Sequence, residues 1–405
     1  MSNSTLPQFD PLSPTLRCDP YPTYHYYRTH EPVHWGRPSF PGVPGIWYLF
    51  RHADCVAMLS DARFGRTPLE EQQELKNQPM LNQAARSMLF SDPPHHTRLR
   101  ALVNKAFTPR MVERLAPRIT DITAELLDVV QPHGAMDVIA DLAFPLPVIV
   151  IAEMMGVPTQ DRLLLKQWSY PLTRAIDARR GEDVERINQA AMAAGMEFIA
   201  YLQGLIAERR HHPQHDLLSN LIALEAQGDK LSPEELLRMC ILLLVAGHET
   251  TVNLIGNGLL ALMRHPDQMT ALQQQPNLIE SAVDELLRYD SPVQSTGRIA
   301  FEDVTIGDKR IRQGDRVTAL LGAANRDPAV FAAPDALDVR RGDKRYLSFG
   351  HGIHFCLGAP LARLEGQIAI AAVLRCMPNI HLQTDELTWR EGFGFHGVVS
   401  LPVSF

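Results

Sequence analysis

The sequence predicts a mainly α (α+β) fold, a helix-rich body with a small β region segregated to one side. Three observations predict it. Apolar residues recur at helical spacing over Arg110–Val130, Asp161–Arg210, Pro233–Arg264, Asn277–Tyr289 and Pro360–Cys376. Strand-like runs are confined to two stretches, about 33–60 and about 295–321. One helix is apolar on most of its faces, which requires an interior position.

In chain order, residues 33–50 mix aromatics, Val and Ile with Pro and Gly, and IWYLF from Ile46 reads as a short strand. The helix at Pro233 has the clearest start: Ser232 as N-cap, Pro233 in the first helical position and Glu235 as the capping-box acid. It can extend to about Arg264, on the order of 48 Å at ~1.5 Å per residue. Its MCILLLVAG stretch makes it central. From Arg298, RIAFEDVTIGDKRIRQGDRVTALL alternates apolar and polar residues around two Gly-Asp turns.

The 405 residues are expected to form one domain spanning 1–405. With 45% hydrophobic and 21% charged residues, the composition is that of a globular protein rather than a disordered or fibrous one. A net charge of -7 has the wrong sign for neutralising phosphates, which excludes nucleic acid as the main partner. Met1–Pro20 is polar and proline-rich, without a signal peptide's basic and apolar regions, and no run reaches membrane-spanning length. The expectation is a cytoplasmic protein with no membrane contact. Cys18, Cys55, Cys240, Cys356 and Cys376 are odd in number and form no C-x-x-C pair, which argues against a disulfide framework. A cysteine with a special task must act singly.

The sharpest local signal is FGHGIHFCLG, Phe349–Gly358, followed by a helix from about Pro360. Glycines at 350, 352 and 358 permit backbone paths that side chains would obstruct. The loop presents one thiol just before a helix N-terminus, where backbone N–H groups are expected to stabilise a thiolate and lower its pKa. A glycine turn beside a purely structural thiol would look similar. Elsewhere, DPPHHTRLR places His96 and Arg100 four apart on one helix face, with His95 off that face and exposed. AGHETT, Ala246–Thr251, sets an acid and hydroxyls within the long apolar helix, and ELLR contains an i,i+3 ion pair, Glu285 with Arg288. The HHPQH segment at 211–215 reads as an exposed inter-helix loop rather than a metal site.

Phe349–Gly358 resembles the haem-binding loop of the cytochrome P450 superfamily, Phe-x-x-Gly-x-x-x-Cys-x-Gly, at every specified position. The other motifs follow in that family's order, so the resemblance covers about Asp19 to the C-terminus. It implies the cytochrome P450 fold of the soluble bacterial class I type, with a buried haem b and Cys356 as its axial ligand; a thiolate there favours O–O cleavage. It implies that His96, Arg100, Arg298 and His354 meet the haem propionates, and that Phe349, Gly350 and Gly358 shape the loop. Ala246 and Gly247 would leave room for dioxygen at a local opening of the helix. Thr250 would donate a hydroxyl to it, and Glu249 would feed protons. Glu285, Arg288 and Arg341 resemble the family's structural network, with Arg340 the competing third member. Family sequences often carry a His where this chain has Tyr346, read as a surface variation without a role.

By position in that family, Met88, Leu89, Leu242, Val245, Ala246, Val293, Gln294, Phe393 and Phe395 are candidate pocket walls, with Cys240 nearby; the other cysteines are packing thiols. The implied reaction is monooxygenation of a lipophilic small molecule by O2, giving an alcohol or an epoxide. Secondary metabolites such as macrolides and terpenoids, or fatty substrates, are the general likeness. Without an attached flavin or iron–sulfur domain, electrons from NAD(P)H would come through a ferredoxin or flavodoxin and its reductase. Arg98, Lys105, Arg110 and Arg363 are expected to form a basic docking patch for it. An H2O2-driven peroxygenase and a non-catalytic haem sensor are the alternatives; the Glu249–Thr250 pair speaks against the first.

Overall fold

The computed structural model describes residues 9–38, 44–66, 87–177, 184–226 and 231–405. Its centre is the Pro233–Arg264 helix. The capping box forms as written in the sequence: the Ser232 hydroxyl accepts from the Glu235 N–H, and the Glu235 side chain accepts from the Ser232 N–H. Helices Pro145–Met154, Arg162–Asp177, Ile279–Tyr289 and Ala359–Cys376 pack around it, which is why its Leu, Ile and Val side chains are buried on nearly every face.

The helical patterns break where proline or weak periodicity allows. The Arg110–Val130 pattern is two helices, Pro109–Arg114 and Ala116–Val130, and Asn277–Tyr289 opens with a 3-10 turn before Ile279–Tyr289. Within 161–210, helices Arg162–Asp177 and Val184–His211 flank 178–183, which lie outside the described residues. Two helices, Glu185–His211 and Pro233–Arg264, are long and apolar enough to cross a membrane by length and composition, which corrects the expectation that no run would be. Most of the second is buried in protein, so core packing accounts for its hydropathy.

Strands β1 (Val33–Gly36), β2 (Ile46–Leu49) and β3 (Phe64–Gly65) come from the first β-rich stretch and its margin, but 52–60 is helix, not strand. After β4 (Ala135–Asp137), the second stretch gives β5 (Ser295–Ala300), β6 (Val304–Ile306), β7 (Lys309–Ile311) and β8 (Arg316–Leu320). Five of these strands form one sheet in the order β1-β2-β8-β5-β3, with β2 and β8 parallel and the other pairs antiparallel, while β6 and β7 pair with each other as a separate antiparallel hairpin. Two short strands that periodicity did not reveal, β9 (His381–Leu382) and β10 (Pro402–Ser404), complete a second sheet ordered β4-β10-β9.

Candidate active site

The central helix and the Phe349–Gly358 loop face one cavity of ≈ 280 Å³. The loop folds back on itself: the Cys356 N–H donates to the Phe349 carbonyl at 2.9 Å and the Gly350 N–H to the Leu347 carbonyl at 2.8 Å. Gly352 is held at φ 70°, and a Cβ there would lie 2.4 Å from the Leu59 carbonyl oxygen, so only glycine lets the loop lie against that segment. Gly358 then caps the Ala359–Cys376 helix, with a proline in its first turn.

Cys356 lines the cavity, so its accessible face opens inward although the thiol lies deep in the protein. Burial raises the thiol pKa, and the Gly358 N–H, the Arg100 guanidinium and the Ala359 N–H draw it down without overcoming burial. The expected lowering is therefore present in its causes but not in its sum. A bound metal supplies what is lacking, because it deprotonates a coordinating thiol outright.

At one corner of the cavity the candidate cofactor contacts converge. His96 is 2% exposed, and its ring lies 4.3 Å from that of His354, centroid to centroid. Arg100 and Arg298 line the same corner, and so does Arg66, which no motif signalled. Burial, and then the neighbouring arginine cations, push His96 and His354 below the usual imidazole range, and burial lowers Arg298 to about 10. The buried His96 Nδ1 and His354 Nε2 have no hydrogen-bond partner among the described residues. Cations and open donors gathered in a desolvated corner fit the two carboxylates of haem b.

From the central helix, Ala246, Gly247 and Thr250 line the same cavity. The helix is uninterrupted from Pro233 to Arg264, so the opening expected at Ala246–Thr251 does not break it. Glu249 does not reach the cavity wall. It is 5% exposed, pairs with Arg390 from the C-terminal segment, and lies 3.8 Å from His248 Nε2. Below Thr251, Glu365 is fully buried on the Ala359–Cys376 helix, and burial raises its carboxyl to about 8, the Thr251 hydroxyl opposing.

Of the expected pocket walls, Met88, Leu89, Leu242, Ala246 and Val293 line the cavity, joined by Ile151 and Leu243. Val245, Gln294, Phe393 and Phe395 are not among its lining residues, and neither is Cys240. Gln294 turns back to donate to the Ser291 carbonyl at 2.7 Å, and Phe393 packs on Phe9 and Tyr48 in a separate aromatic cluster. Both are reassignments that sequence position alone could not foresee.

Beneath the loop, the completely buried Glu285 accepts from Arg288 at 2.6 and 2.8 Å and from Arg341 at 3.1 Å, while Arg340 is exposed. Tyr346 is not a surface variation. It is 5% exposed, donates to Asp284 at 2.5 Å and accepts from Arg363. Arg363 also bonds Asp284 and lies 4.6 Å from the centre of the Phe349 ring, so it is an internal strut rather than a free docking charge. Arg98 pairs with Glu235, as does exposed His95, which leaves Lys105 and Arg110 as the exposed cations of the expected patch. His211–His215 is exposed, no cluster of metal-binding type occurs among the described residues, and all five cysteines are free.

Comparison with known proteins adds a family match, two relatives and a solved structure. The family model described as Cytochrome P450 matches residues 69–377. The chain is 46% identical over 388 residues to the biotin biosynthesis cytochrome P450 of Bacillus subtilis, covering 96% of each, and 42% identical to the vitamin D(3) 25-hydroxylase of Pseudonocardia autotrophica, covering 98% and 96%. It superposes with a TM-score of 0.88 on P450BioI in complex with hexadec-9Z-enoic acid ligated acyl carrier protein, at 44% identity, covering 97% of this chain and 100% of the other.

Proposed function

This chain belongs to the cytochrome P450 family, a monooxygenase whose cofactor is haem b, and we propose that it hydroxylates or epoxidises a lipophilic small molecule, with the Cys356 thiolate as the group that would hold the haem iron. One observation carries the reading: Cys356 from the glycine-framed loop, Thr250 from the central helix and an apolar wall line the same cavity. Haem b, when bound, supplies the activation of O2 by which one oxygen atom enters the substrate and the other leaves as water.

The protein's own residues do the rest. Cys356 would hold the iron from the loop, with the Gly358 and Ala359 N–H groups directed at its sulfur. Ala246 and Gly247 leave that part of the wall without bulky side chains, and the Thr250 hydroxyl lines it, where it would donate to dioxygen. The Glu249 carboxyl would take up protons from solvent and pass them toward the Thr250 hydroxyl. Its pairing with Arg390 places this acid behind the wall rather than in it, where it cannot repel or bind substrate.

The lining supports an uncharged reacting region. Met88, Leu89, Ile151, Leu242, Leu243 and Val293 form the wall, no acid among the described residues lines the cavity, and its arginines gather in one corner. A long acyl chain or a polycyclic hydrocarbon skeleton fits such a wall, and two relatives point the same way by name, a vitamin D(3) 25-hydroxylase and an acyl-carrier complex. Electrons arrive from NAD(P)H through a ferredoxin or flavodoxin and its reductase, in the cytoplasm. Exposed Lys105 and Arg110 contribute to the docking side, since the Pro109–Arg114 helix packs on the Ala359–Cys376 helix.

The test is turnover of a lipophilic compound panel, preselected by Soret shift, with NADPH and surrogate ferredoxin and reductase, against H2O2 alone. Product with the electron chain and little with peroxide is expected. Efficient turnover by peroxide alone would make it a peroxygenase, and no turnover of any compound that shifts the spectrum would favour a sensor.

A further inference from the structure

Arg66 and Arg298 use the same two acceptors. Arg66 donates to the Gly297 carbonyl at 3.2 Å and to the Thr296 hydroxyl at 3.3 Å; Arg298 donates to the same oxygens at 2.8 and 3.4 Å. Strand pairing brings this about. Phe64 lies opposite Ala300 and Gly65 opposite Ile299, and one further step of that antiparallel register sets Arg66 opposite Arg298. Like charges directly across an antiparallel pair destabilise a sheet. Arg66 Nε is moreover buried without a hydrogen-bond partner among the described residues. Both Asp92 carboxylate oxygens accept from the Arg66 backbone N–H, at 2.9 and 3.0 Å, so this acid offsets the pair partly and from one side.

Together with Arg100, three arginines line this corner, and Asp92 is the acid acting on two of them. Burial, and then Arg298, lower Arg66 to about 9. Two more negative charges would balance the corner, and the bare donors await acceptors. Resting on the haem-b reading above, we propose that Arg66 is a third cofactor-anchoring arginine, which clamps one carboxylate of the bound cofactor jointly with Arg298. Arg66 also lies 5.9 Å from the centre of the Phe90 ring, in the Met88–Phe90 turn whose first two residues wall the pocket, so the clamp ties that turn to the cofactor's edge.

A carboxylate could also come from a fatty-acid substrate, and the experiment separates the two sources. Substrate-free holoenzyme is prepared as wild type, Arg66→Met and Arg66→Lys. Three quantities are read: haem release into excess apomyoglobin, midpoint reduction potential, and Soret titration with myristate against 1-tetradecanol. Loss of a charge-assisted hydrogen bond predicts about tenfold faster release from Arg66→Met. Its potential should be more negative, since a cation near the iron is gone, and the two titrants should change affinity alike. Arg66→Lys keeps the charge but not the planar fork, so release should quicken while the potential stays near wild type. Wild-type release and potential in Arg66→Met would overturn the assignment. So would a selective loss of myristate binding with haem retention intact, which gives the carboxylate to the substrate. If Arg66→Met fails to fold, wild-type release from Arg66→Lys overturns it instead. None of these readouts depends on oxygen insertion, whereas the reduced-CO spectrum of the wild type tests the thiolate reading by itself.

Discussion

Arg390 pairs with the carboxylate of Glu249, reaching from the C-terminal segment to an acid in the middle of the central helix. The pair holds the acid proposed to feed protons outside the substrate cavity, one residue from Thr250, which lines it. His248 is the other close neighbour; its Nδ1–H donates to the Leu244 carbonyl at 2.9 Å, which leaves Nε2 on the Glu249 side as an acceptor, and burial lowers its pKa. A neutral imidazole there leaves Arg390 as the cation of the pair.

Thr250→Ala should therefore leave substrate affinity nearly intact while diverting reducing equivalents to peroxide. Glu249→Gln should slow turnover by about tenfold to a hundredfold with little change in KM, because a positioned proton donor acts on the chemical step alone. Peroxide yield and product formation, measured against NADPH consumption, check both. Wild-type coupling in the two variants would remove the pair from the reaction.

Cys356→His should abolish the CO difference band diagnostic of thiolate ligation. Haem incorporation is scored separately by total haem content. Retention of the thiolate band in Cys356→His would show that another group ligates the iron.

The Glu285 network should be structural. Glu285 and Arg288 are completely buried, and Arg341 completes the carboxylate's contacts. Glu285→Ala leaves a buried cation without its partner, a change expected to cost about 3–5 kcal/mol of unfolding free energy. Urea denaturation of the holoenzyme measures it. A loss below about 1 kcal/mol, the scale of an exposed ion pair, would show that the carboxylate is not needed to hold the loop region.

Glu365 carries a pH dependence of definite sign. Its folded pKa, about 8, stands above the ordinary carboxyl value, so between that ordinary value and about 8 the folded state binds more protons than the unfolded one. Stability from this group therefore falls as pH rises through that window and levels off above it. The loss is on the order of a few kcal/mol. Glu365→Gln should flatten the slope of Tm against pH and stabilise the protein above pH ~8. An unchanged slope would show that the carboxyl reaches solvent or another donor.

The parts of this protein legible in its sequence were those whose physics is local. The capping box at Ser232, the apolar run that makes its helix central, the glycine-framed loop around Cys356 and the i,i+3 pair of Glu285 and Arg288 each depend on residues a few positions apart. Spacing therefore carries the information. The docking patch failed as a set for the opposite reason. Arg98 and Arg363 look like free charges along the chain, but Glu235 and Asp284 arrive from other helices to pair with them. Tyr346 reads as a loop residue until the Ile279–Tyr289 helix brings Asp284 against it, and Arg390 has no local feature that points to Glu249. Arg66 became visible only through the register of β3 against β5, which no stretch of sequence near it encodes. Helix caps and tight loops satisfy their own backbone groups within one or two turns, whereas a buried charge must be met by whatever the tertiary fold brings beside it, and only the folded chain decides which residue that is.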